Sequence, residues 1–321
     1  MAVIISEFSE AQYQSLIESI FRNDFKYNGR YEITYYSGAK ERDLGYDLEM
    51  LTLIPIYLQV KVSDLHLESA HDLPQIIEQR RDIFNFKDIP GAYYFKLHVD
   101  QQDTDYRQHN LLYNLSESGS YARYIAPLFI GKRIIEELNY SSFEINWNNF
   151  YNRYLRQEAE FHNWRDYFYM DHSITIKPHK RVTKVPRELH KYYFNRRLET
   201  SFHSEPEKVD RIYSLNRFLF NVKRSAEGAK RGNSEEIFKN LINAMRNEVS
   251  LTDNEQRAIS EINILFEREA DSTDFIQLKS FDDCKPIFSN YRILTMYLHE
   301  KFNILTYLAG RKDEMILSKH L

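Results

Sequence analysis

Cysteine is almost absent: Cys284 is the single one in 321 residues. An internal disulfide is therefore excluded, and no zinc site built on paired cysteines fits. A reducing interior is the natural setting, so a cytoplasmic location is expected. Glycine is also scarce, with nine residues, and neither Gly-x-Gly nor Gly-Lys-Ser/Thr occurs. That removes the dinucleotide fingerprint and the phosphate-cradling P-loop. His-Glu-x-x-His and Gly-x-Ser-x-Gly are missing too, and two familiar hydrolase motifs go with them. No run approaches the ~18–20 apolar residues of a membrane span. The opening MAVIISEFSE lacks the basic region and small-residue cleavage site of a leader peptide. The net charge is −4, so any nucleic-acid contact must come from a local patch.

Aromatic residues are abundant instead: 24 Tyr, 21 Phe and 2 Trp, about 15% of the chain. The core must be built largely from rings. Residues 9–24 read as an amphipathic helix, with Ser9 and Gln12 forming a capping box. Tyr13, Leu16, Ile17, Ile20 and Phe21 make its apolar stripe. Strands are expected over 30–36, 46–53, 56–63, 91–99 and 122–130, and helices over 73–84, 105–116 and 132–139. Beyond about residue 205 the periodicity is helical, over 208–224, 234–249, 253–269 and 286–308. The expected architecture is α/β (α+β): an N-terminal domain with a mixed sheet at 1–171, a basic connecting region at 172–204, and an all-helical domain at 205–321. The helical domain would serve dimerisation, sensing or partner binding.

The segment 41–63 carries the chemistry. Along 56–63, Tyr57, Gln59, Lys61 and Ser63 share one strand face, with Gln59 and Lys61 about 7 Å apart. Asp47 joins them only if the hairpin loop has an odd number of residues. A three-residue loop at 53–55 sets Asp47 opposite Lys61. An aspartate and an amide oxygen suit Mg²⁺, or Mn²⁺ in its place, as hard oxygen ligands. Such a metal activates water and neutralises phosphate charge. A lysine beside it can orient or deprotonate that water. The same alternation also reads as an ordinary solvent-facing strand.

Asp47…Gln59-x-Lys61 after an N-terminal helix resembles the PD-(D/E)xK nuclease superfamily, with its restriction-endonuclease-like fold, in the variant where Gln replaces the middle acid. More narrowly, Glu41-x-x-Leu44-Gly45-Tyr46-Asp47…Leu58-Gln59-x-Lys61 is similar to a group of uncharacterised bacterial proteins. These also carry a Tyr-x-x-Pro-x-Phe segment like Tyr124–Phe129. The resemblance covers roughly residues 6–135. It implies a metal-dependent nuclease acting on DNA, in antiviral defence or DNA processing, with a homo-oligomer or a defence-system protein as partner. Asp47 and Gln59 would be metal ligands and Lys61 catalytic. The superfamily often adds an acid from the first helix. Helical phase puts Glu10 about 60° from Tyr13, within the buried stripe, and Glu18 about 140° away. Glu10 is thus favoured over Glu18, and Glu41 is the other candidate catalytic acid. The rival readings are a non-catalytic module with the nuclease fold and a helical adaptor acting through its C-terminal domain.

Residues 177–197 carry a net charge of +7 in this acidic chain. Lys177, Lys180, Arg181, Lys184 and Arg187, with Tyr192, Tyr193 and Phe194 nearby, form a candidate nucleic-acid interface. A solvated basic linker is the alternative.

Overall fold

Ser9 and Gln12 start the first helix as a reciprocal pair. The Ser9 N–H donates to Gln12 Oε1 at 2.9 Å, and the Gln12 N–H to Ser9 Oγ at 3.3 Å. Helix α1 then runs Glu10–Tyr27 and buries Tyr13, Leu16, Ile17, Ile20 and Phe21 on one face. The computed structural model describes residues 3–27, 31–35, 54–67, 91–99, 106–118, 120–136, 172–182, 190–203, 207–210, 212–228, 234–246, 253–270 and 281–311. The architecture is α+β, with two sheets and several helices. The expected strand at 46–53 and helix at 73–84 lie outside the described residues. None of the described helices is long and apolar enough to cross a membrane.

The chain divides into two compact units, each assembled from three separated stretches. The first comprises Met1–Asp24, Val60–His109 and Arg123–Asn221. Its main sheet has the order β1 (Val3–Ile4), β4 (Asp64–Leu67), β5 (Gly91–Lys96), β8 (Lys191–Phe194), β9 (Thr200–His203) and β10 (Glu207–Lys208). Every neighbouring pair in it is antiparallel. Residues 172–204, expected as a basic connector, supply two of its central strands. Alternation sends Tyr93, Phe95, Tyr192, Phe194 and Phe202 to one face, where the rings pack together. In the same unit β7 (Ser173–Ile176) pairs with β6 (Tyr121–Pro127) and β11 (Ile212–Ser214). Phe8, Tyr13 and Phe129 stack between α1 and the end of β6. The Tyr13 hydroxyl donates to Ser173 Oγ at 2.7 Å.

The strand pair β4–β5 closes so tightly that a Cβ on Gly91 would collide with the His66 carbonyl. Gly91→Ala is expected to lower stability by about 1–3 kcal/mol through that overpacking. Chemical denaturation of the variant measures it.

The second unit comprises Phe25–Gln59, Asn110–Ala122 and Val222–Leu321. Here β12 (Leu305–Arg311) lies antiparallel to both β2 (Tyr31–Tyr35) and β3 (Ile54–Val60). This corrects the all-helical C-terminal domain. Among the described residues after 230 there are three helices, α4 (Ser234–Arg246), α5 (Asp253–Ala270) and α6 (Phe281–Phe302), following α2 (Arg107–Glu117) and α3 (Leu215–Gly228) earlier in the chain. But α6 ends at Asn303, whose φ of 48° is left-handed and whose N–H bonds the His299 carbonyl at 2.9 Å. That is a helix-stopping cap, and a short polar side chain tolerates the conformation. The chain leaves it extended. The expected helix at 208–224 is likewise replaced at its start by β10 and β11, and Ser214 Oγ accepts the Arg217 N–H at 3.3 Å to cap α3.

Candidate active site

Strand β3 is IPIYLQV, and six of its seven residues are buried. Gln59 and Lys61 therefore lie inside the protein, against the alternative reading of an ordinary solvent-facing strand. Gln59 is fully buried and Lys61, just past the strand, is 6% exposed. Burying an ammonium without a partner is expensive. Two groups fix Lys61 in place. Its N–H donates to the Ile125 carbonyl of β6 at 2.9 Å. Its Nζ lies 3.8 Å from Glu10 Oε1, in the first turn of α1. The Glu10 side chain is 43% exposed against 7% for Lys61, so the pair is a buried cation at the foot of a half-open carboxylate. Burial pushes the Lys61 ammonium below its usual range, and Glu10 offsets part of that shift. Glu18, the other acid weighed on α1, accepts instead from Gln14 along its own helix at 2.9 Å.

In the second unit, Gln59 Nε2 donates to the Phe302 carbonyl at 3.4 Å. A carbonyl can only accept, so the amide orientation is set and Gln59 Oε1 is the free acceptor. That oxygen is buried without a hydrogen-bond partner. An orphaned buried acceptor costs about 1–3 kcal/mol, and a hard cation is the kind of group that satisfies one. Ser63 Oγ, at the next alternate position after Lys61, is also buried and unpartnered. Among the described residues, no three His, Cys, Asp or Glu side chains gather into a metal centre. Asp47 and Glu41 lie outside the described residues, and so does the hairpin register that would bring Asp47 opposite Lys61.

Comparison with protein-family models, curated proteins and solved structures found no match. The reading of the site therefore rests on its own chemistry.

The basic run is divided. Lys180 Nζ donates to Glu207 Oε2 at 2.6 Å and sits 5.6 Å from the Phe202 ring centre, so an exposed acid of the same chain meets its charge. The same contact holds Glu207 below the usual carboxylate range. Lys177 is half-buried and Arg181 exposed. Lys184 and Arg187 lie outside the described residues. Tyr124, noted in the Tyr-x-x-Pro-x-Phe segment, has a structural role: its hydroxyl is 2.8 Å from His109 Nδ1. His109 Nε2 is 2.8 Å from the Lys180 carbonyl. His109 was missed in the sequence, although it stands three residues after Tyr106 and three before Leu112 on the buried side of α2.

Proposed function

We propose that the chain is a Mg²⁺-dependent nuclease of restriction-endonuclease-like fold that hydrolyses DNA phosphodiester bonds. The observation that carries this is Lys61: a buried, desolvated lysine with a half-exposed carboxylate as partner, two residues after a buried amide with an unpartnered oxygen. Perturbed ionisable groups of this kind are concentrated at functional sites.

The resemblance to the nuclease superfamily would make Asp47 and Gln59 the metal ligands, with Glu10 or Glu41 as the further acid. When bound, Mg²⁺ supplies charge neutralisation at the phosphate and lowers the pKa of a water. The chain's own contribution is proton handling. Desolvation favours the neutral amine of Lys61, which can accept a proton from the attacking water as its oxygen bonds to phosphorus and the P–O bond to the leaving group breaks. Glu10 orients the Lys61 side chain toward the open side of the pair.

The test is cleavage of plasmid, single-stranded DNA and RNA by the full chain, with Mg²⁺ and in EDTA. Cleavage of DNA that depends on Mg²⁺ is expected. No cleavage of any of the three overturns the reading, and cleavage of RNA alone overturns the DNA assignment.

A further inference from the structure

In the second unit the register of β12 on β3 fixes which residues share a face. Thr306 stands opposite Tyr57, and Leu308 opposite Pro55. Gln59 lies two residues beyond Tyr57 on β3, so alternation returns it to the same face. Thr306 and Gln59 are therefore diagonal neighbours across the strand pair, about 7–8 Å apart, a spacing that a long side chain such as glutamine can bridge. Tyr307 stands opposite Ile56, on the other face.

Two oxygens on this face are left over. Thr306 is 2% exposed and Gln59 0%. Thr306 Oγ1 and Gln59 Oε1 are both buried without a hydrogen-bond partner, so they do not bond one another. The neighbouring polar groups are engaged elsewhere. The Tyr57 hydroxyl is 3.2 Å from that of Tyr291 on α6. Gln59 Nε2 is committed to the Phe302 carbonyl. A valine at 306 would fill the same space with no hydroxyl to satisfy, and burying an unmatched hydroxyl is costly.

An amide oxygen can only accept, so whatever satisfies Gln59 Oε1 must donate a hydrogen bond or carry positive charge. A hard divalent cation meets that demand and gathers several oxygen ligands at once. One ion thus accounts for both leftover oxygens. We propose that Thr306 Oγ1 joins Gln59 Oε1 in holding a divalent cation. The inference rests on the nuclease reading, in which Gln59 is a metal ligand. It adds to that reading a hydroxyl from β12, near the other end of the chain. A bridging water is the competing occupant of the same place, and the test separates the two.

The test is binding of Mn²⁺ alone to the full chain, without nucleic acid, read from the paramagnetic resonance signal of the free ion. Thr306→Val should weaken that binding by about 10–100-fold, the usual cost of losing a group beside a metal ligand. Thr306→Ser keeps the hydroxyl and should bind as the wild type does. In EDTA the thermal midpoint of Thr306→Val should hold or rise, because an unmatched buried hydroxyl is removed. A fall in that midpoint would mean that the hydroxyl has a structural partner such as a bridging water in the metal-free protein, and it would overturn the proposal. Equal loss of Mn²⁺ in Thr306→Ser and Thr306→Val would overturn it too, since packing rather than the hydroxyl would then be at issue. Unchanged affinity in Thr306→Val, while the wild type binds Mn²⁺ and cleaves DNA, overturns this inference and leaves the nuclease reading standing. No uptake of Mn²⁺ by the wild type overturns this inference whether or not DNA is cleaved, and absence of cleavage as well overturns both.

Discussion

Lys61→Met is expected to abolish Mg²⁺-dependent cleavage while the protein stays folded. The side chain is 7% exposed, so Lys61→Ala would leave a cavity and confuse loss of activity with loss of fold. Methionine keeps an unbranched chain of similar length and removes only the charge. Replacing a buried ion by an apolar group of similar volume is often neutral or stabilising. Glu10 loses its partner but remains half-exposed, so no charge is stranded inside. The thermal midpoint should therefore hold or rise. Cleavage should fall by about 10²–10⁴-fold, the usual contribution of a positioned proton-transfer group. The pH profile carries a second signature. Burial lowers the Lys61 pKa, so activity should rise with pH through a value below the ordinary lysine range. Lys61→Arg should lose that rising limb, because a guanidinium does not deprotonate. Full activity in Lys61→Met would remove Lys61 from the mechanism.

What the sequence disclosed was local. The Ser9–Gln12 box and the stripe from Tyr13 to Phe21 specify α1 without help from the rest of the chain, and helical phase alone preferred Glu10 to Glu18. Period-two alternation set Gln59 and Lys61 on one strand face. It could not reveal that this face is buried, since burial depends on packing from distant parts of the chain. The same limit hid β12. The buried positions Tyr291, Leu294 and Leu298 continue at a helical interval to Leu305, so the pattern reads as one long helix. Only the left-handed turn at Asn303 breaks it, and β2 and β3, which β12 joins, lie near the other end of the chain. Charge counted along a sequence does not reveal that Lys180 meets Glu207 across the fold.

Acidification should destabilise the protein over a window set by buried histidines. His109 is 1% exposed. Its two hydrogen bonds fix the neutral tautomer: a carbonyl can only accept, so Nε2–H donates to Lys180 O, and Nδ1 accepts from the Tyr124 hydroxyl. Burial holds its pKa down to about 3, with the neighbouring His179 and His190 adding to the fall and the Lys180 carbonyl opposing it. His66 and His179 are each lowered to about 4, again chiefly by burial. In the unfolded chain all three take up protons near pH 6.5. Between that pH and their folded values the unfolded state binds more protons, so stability is full above about pH 6.5 and declines as pH falls toward 4 and below. At 1.36 kcal/mol per pH unit, His109 alone accounts for a loss on the order of 3 kcal/mol by pH 4. His109→Phe separates its share. At pH 7 the variant should be less stable by about 2–5 kcal/mol, since the Tyr124 hydroxyl and the Lys180 carbonyl are left buried and unpaired. Its melting midpoint should also vary less with pH between 6.5 and 4 than that of the wild type. Thermal melts of both proteins across that range measure the difference, and parallel curves would mean that His109 takes no part in the acid sensitivity.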